Sequence, residues 1–176
     1  MLKVSLPYTS LGVHVQRARQ DRKITQRALA QYAQVAITTL RLLERGQGNL
    51  TSFWQVLDVL HLAVVGRNLP PGESIGERIV TLRKRKGMSQ RALASIIETT
   101  QPTLITLEKH SRGRLQTLDR VLLSLGAGAY LAPIGAQQSF YTHAGNSATK
   151  LMTGYHYLGL VMSFAIRLME ESCAIG

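Results

Sequence analysis

The side chains able to make or break bonds are scattered in this sequence. Its histidines, His14, His61, His110, His143 and His156, share no metal-ligand spacing, and Cys173 stands alone. No GxGxxG, Walker or GxSxG segment occurs. The sequence therefore predicts neither an enzyme nor a metal or cofactor site. What does recur is a set of residues that bind rather than react. "TQRALA" at 25–30 and "SQRALA" at 89–94 each place a hydroxyl, an amide and a guanidinium in succession. Around them lies a strong positive excess: 21 Lys+Arg against 10 Asp+Glu, a net charge of +11. Such an excess recruits polyanions, of which nucleic acid and anionic membrane are the usual ones.

These residues sit in a longer duplication. Leu11–Glu44 lies over Ile75–Glu108 without a gap, so that Gly12/Gly76, Arg19/Arg83, Gln26/Gln90, Leu40/Leu104, Leu43/Leu107 and Glu44/Glu108 coincide. A one-residue insertion after the second glutamate then sets "LTSFWQVLDVL" over "LQTLDRVLLSL". Two copies are too few for a solenoid. They predict two small domains, 9–66 and 74–132, joined by a Pro/Gly linker at 67–73.

Within each copy the apolar spacing is helical. In the second, Ile75, Ile79 and Leu82 mark one helix and Leu93, Ile96 and Ile97 the next. Leu104 and Leu107 mark a third, and Leu118, Val121, Leu122 and Leu125 a fourth. Thr25, Ser89 and Thr100 are apt N-caps, Ala36 is not, and Pro102 suits a first helical turn. No strand-like alternation competes, so the expected fold is all-α with four to five short helices per copy.

Residues 133–176 form a low-charge linker and tail. There Tyr157, Leu160, Val161, Phe164 and Leu168 make an apolar helical stripe that must be covered, either by packing back on the copies or by a partner chain, and a homodimer through the tail is the expected cover. The run "LMTGYHYLGLVMSFAI" is too interrupted for a membrane span, so no membrane association is expected. The lone cysteine and the lack of a leader-like start suit a cytoplasmic, nucleoid-associated protein.

The text "[ST]QRALA…TLxxLE", present twice in register, resembles the helix-turn-helix of the Cro/cI (lambda-repressor-like) phage-repressor family. The resemblance covers both copies and stops near Ala132. It implies two tandem helix-turn-helix domains, to which the apolar stripe adds a C-terminal helix, and double-stranded DNA as the partner. On that mapping the probe helices lie near 37–45 and 101–109 and enter the major groove. Base edges would be read by Gln101, Pro102, Thr103 and Thr106 in the second copy. In the first they would be read by Ile37, Thr38, Arg41 and Leu42. Glutamine suits adenine, arginine suits guanine, and threonine can touch a thymine methyl. The second copy is the better reader, since Ile37 and Leu42 offer only apolar contact.

Phosphates would be held by Gln26, Arg27 and Arg45 in the first copy and by Gln90, Arg91, Lys109, Arg112 and Arg114 in the second. Arg19 with Glu44, and Arg83 with Glu108, fall where the family places a structural ion pair. The family commonly has glycine in the turn before the probe helix, where the backbone tends to positive φ; here stand Gln34 and Glu98. The implied function is a sequence-specific transcriptional regulator of repressor type, in a phage, plasmid or other mobile-element setting. The alternatives are an antitoxin or other protein-binding module with a toxin or other protein partner, and a restriction–modification controller.

Overall fold

The structure, a computed structural model, describes residues 9–134; the tail and its expected dimer surface lie outside the described residues. The first copy runs α1 (Leu11–Asp21), α2 (Gln26–Tyr32), α3 (Ile37–Glu44), α4 (Leu50–Val59) and β1 (Leu62–Gly66). The second repeats the order as α5 (Ile75–Arg85), α6 (Gln90–Ile96), α7 (Gln101–His110), α8 (Leu115–Ser124) and β2 (Ala129–Pro133).

Hydroxyl and amide caps start most of these helices. Thr25 Oγ1 accepts from the Ala28 amide at 3.1 Å, Ser89 Oγ from Ala92 at 3.1 Å and Thr100 Oγ1 from Thr103 at 3.3 Å. Each satisfies one amide that has no partner inside its helix. α3 begins at Ala36 without any side-chain cap. Left-handed residues end the segments at matching places: Lys23 and Gly87, Gln34 and Glu98, His61 and Gly126. Gln34 (φ 52°) and Glu98 (φ 54°) thus hold the positive φ expected of the turn before α3 and α7. A side chain there costs about 1–2 kcal/mol relative to glycine.

Gly12 and Gly76 answer a different need, close backbone approach. A Cβ on Gly12 would stand 2.2 Å from the Leu43 carbonyl oxygen, and one on Gly76 2.1 Å from that of Glu108. Only glycine lets α1 meet the end of α3, and α5 the end of α7, so closely.

Among the described residues the fold is mostly helical, as the sequence predicts, with one small two-stranded sheet added. β1 and β2 pair antiparallel, Leu62 opposite Pro133 through Gly66 opposite Ala129. Five-residue strands with the burial of β1, where Val64 and Val65 are both covered, leave no alternating pattern to read. The sheet also binds one copy to the other.

Nor does each copy keep a core to itself. Leu11, Val15, Leu29, Leu40 and Phe53 belong to the same buried cluster as Ile79, Leu93, Leu104, Leu107 and Leu118. Within 67–73, expected as a Pro/Gly linker, Leu69 and Pro70 pack against the copies they join and the other five residues are exposed. Leu69 is buried, and the Arg78 guanidinium donates to the Pro70 carbonyl at 2.8 Å and the Val64 carbonyl at 2.7 Å. Ile96, read as a core residue, is 57% exposed instead.

Candidate nucleic-acid interface

The arginines that close the two clamps are buried, and each forks onto its glutamate. Arg19 Nε donates to Glu44 Oε1 and its Nη2 to Oε2 at 3.3 Å. Arg83 Nε reaches Glu108 Oε1 at 2.7 Å and its Nη2 reaches Oε2 at 3.1 Å. The third guanidinium nitrogen ties down the following turn, Arg19 Nη1 on the Ile24 carbonyl at 2.9 Å and Arg83 Nη1 on Met88 at 2.8 Å. Two parallel bonds in a dry site fix the first helix of each copy to the end of the third.

Gln26 and Gln90, mapped as phosphate ligands, are drawn into these clamps. Gln26 Nε2 donates to Glu44 Oε2 and Gln90 Nε2 to Glu108 Oε2, both at 2.6 Å. A primary amide carries two hydrogens, so each keeps one for another acceptor. The sequence spacing placed both glutamines at a helix start but gave no sign of this bond. Their neighbours Arg27 and Arg91 are exposed.

The residues mapped as base readers divide into open and committed ones. Thr38, Arg41, Leu42, Pro102 and Thr106 are exposed; Gln101 and Thr103 are half-buried. The Thr103 hydroxyl lies 2.8 Å from that of Thr100, and Thr106 donates to the Pro102 carbonyl at 3.0 Å. Thr106 retains its methyl group and its acceptor lone pairs. Ile37 packs partly against the core, which leaves it little area to offer. Arg41, itself exposed, donates from Nε to Gln26 Oε1 at 3.4 Å.

Past the probe helices the chain is basic and open. Arg45, Lys109, Arg112 and Arg114 are all exposed. Glu44 is the sole carboxylate in 37–49 and Glu108 the sole one in 100–115, and both are buried and paired. The exposed face of each probe helix and its following loop is therefore cationic or neutral throughout.

Several contacts had no sequence signal. The Asp119 carboxylate, on α8, accepts the Leu11 amide at 3.2 Å and so caps α1 from the other copy. Trp54 Nε1 donates to the Ser111 carbonyl at 3.0 Å. A groove of about 390 Å³ opens beside Trp54, Asp58, Ser74 and Arg78. It offers no reactive pair, since the Arg78 guanidinium is committed to carbonyls. Among the described residues no group of His, Cys, Asp and Glu could hold a metal ion, and no helix is long and apolar enough to cross a membrane. Comparison with protein-family models, curated proteins and solved structures finds no match to this chain.

Proposed function

We propose that the protein is a sequence-specific double-stranded DNA-binding transcriptional regulator, a repressor in type. In this reading α2–α3 and α6–α7 are its two lambda-repressor-like helix-turn-helix units. The observation that carries the proposal is the pairing of two features on equivalent helices. α3 and α7 each present open hydrogen-bonding side chains, and the one carboxylate within 37–49 and the one within 100–115 are each buried in an ion pair. A duplex repels free carboxylates and attracts Arg45 after α3, Lys109 in the last turn of α7, and Arg112 and Arg114 beyond it. Gln101 and Arg41 supply the donors for base edges, and Thr38 and Thr106 supply methyl groups for thymine.

Random-site selection at physiological salt tests this directly. A defined consensus is expected, and Arg112→Ala should weaken all sites alike while lowering the salt slope by about 0.9. Selection that returns no consensus, with binding that tracks charge alone, would remove sequence-specific regulation.

One observation favours the protein-binding alternative, an antitoxin that keeps its DNA contacts for autoregulation. Ile96 and Leu123 stand 57% and 53% exposed beside Glu98 and Arg120. Stable co-purification with a small toxin, lost on Leu123→Glu, would support that reading.

A further inference from the structure

The backbone pairings that join the copies at 48–50 with 113–115 and in the sheet obey a symmetry. The alignment that sets Leu50 over Leu115 also sets Gly48 over Gly113, Asn49 over Arg114 and Val65 over Tyr130. The Leu50 amide donates to the Gly113 carbonyl at 2.8 Å, and the Leu115 amide donates to the Gly48 carbonyl at 3.0 Å. Each bond is the other with the copies exchanged. Asn49 and Arg114, which face each other between these bonds, are one another's counterparts. In the sheet Val65 faces Tyr130, again its own counterpart. The neighbouring pair Val64–Leu131 becomes Ala129–Gly66 on exchange, and that pair is also present. The sheet register is therefore unchanged when the copies trade places.

This is the mark of an isologous contact, the kind that joins two identical subunits about a two-fold axis. Here it joins two halves of one chain. A two-fold axis through the midpoints of Asn49–Arg114 and Val65–Tyr130 would exchange the paired backbones and bring α3 to the place of α7.

Resting on the proposed DNA-binding function, we infer that one chain acts as an internal pseudo-dimer on DNA. Its dyad coincides with a local dyad of the duplex. Its target is a site with two unlike half-sites, one read by each copy. Chain length restricts their spacing. Each loop that leaves a probe helix ends on the axis, at Asn49 or Arg114. Extended chain reaches about 3.5 Å per residue and helix rises about 1.5 Å per residue, which puts Thr38 and Gln101 no more than about 30 Å from the axis. Half-sites two helical turns apart would need each reader at about 34 Å, so only the one-turn spacing of about 10 base pairs fits. The halves differ because Thr38, Arg41 and Leu42 stand where Pro102, Ile105 and Thr106 stand in the other copy. The complex is accordingly oriented: reversing one half-site is not equivalent to leaving it.

The test uses the full chain and a selected site, with affinity measured for every single base change in wild type, Gln101→Ala and Arg41→Ala. Neither residue belongs to the core cluster, Arg41 being exposed and Gln101 half-buried. Gln101→Ala should flatten preference in one half alone, by about 5- to 150-fold at its base pair. Arg41→Ala should flatten the other half alone. Five base pairs inserted between the halves should cut affinity to that of a single half. If Gln101→Ala affects both halves equally, two chains read a palindrome and the pseudo-dimer is wrong, while DNA reading by α7 survives. If no base preference exists in wild type, both the pseudo-dimer and the proposed function fail.

Discussion

Inside, the two copies share a clamp built from the same atoms: arginine fork, glutamate and glutamine amide, with the glutamine bond 2.6 Å in each. On their outer faces the probe helices share little. α7 begins at a threonine cap with proline in its first turn, and α3 begins uncapped at Ala36. α7 offers Gln101 and Thr106, whereas α3 offers Thr38, Arg41 and Leu42. The difference shows where packing constrains the chain. A buried ion pair or a glycine without room for a Cβ admits few substitutes, while an outward side chain can change without cost to the fold. Copies that keep one interior can thus diverge into two unlike surfaces.

The sharpest way to break the comparison is to open the clamps. Glu44→Ala and Glu108→Ala should each cost about 3–5 kcal/mol, since each strands a buried arginine. Because the copies share a core, either change should lower a single transition in urea denaturation rather than split it in two. Two separated transitions would show that the copies fold independently. Gly76→Ala comes next, at about 1–3 kcal/mol, because the Glu108 backbone cannot yield to a new Cβ. Gly12→Ala should match it, read by the same melt.

The helix starts sharpen the contrast. Thr100→Ala should cost about 1 kcal/mol, and Ala36→Thr should recover part of that amount in the first copy. Thermal melts of the two variants should therefore move in opposite directions.

The smallest effect concerns His14, whose counterpart in the second copy is Arg78. Burial, and then the charge of Arg17, hold the His14 pKa below its ordinary value. A folded-state pKa lower than the unfolded one favours the neutral ring. Stability is then full above about pH 6.5 and falls as pH drops through the interval between the two values. His14→Gln should remove that small slope in denaturation midpoints measured from pH 7.5 to 5.

Much of the helical framework was legible in the sequence, for identifiable reasons. Thr25, Ser89 and Thr100 are strong local start signals, and the paired leucines at 40/104 and 43/107 have a single inward side. Arg19–Glu44 and Arg83–Glu108 were legible only through the family resemblance, since nothing local joins residues so far apart. The sheet was illegible because its strands are brief and β1 is buried at successive residues. The joining of the copies was illegible for a related reason: backbone amides and carbonyls carry it at Gly48, Leu50, Gly113 and Leu115, and these leave no side-chain pattern. The capture of Gln26 and Gln90 by the glutamates also escaped, because a helix-start glutamine reads equally well as a surface ligand.

The central claim, that α3 and α7 read bases, is tested most directly by one competition at physiological salt between a selected duplex and a scrambled duplex of the same composition. A preference of about 1,000-fold or more for the selected duplex is predicted. Equal affinity for the two would contradict it.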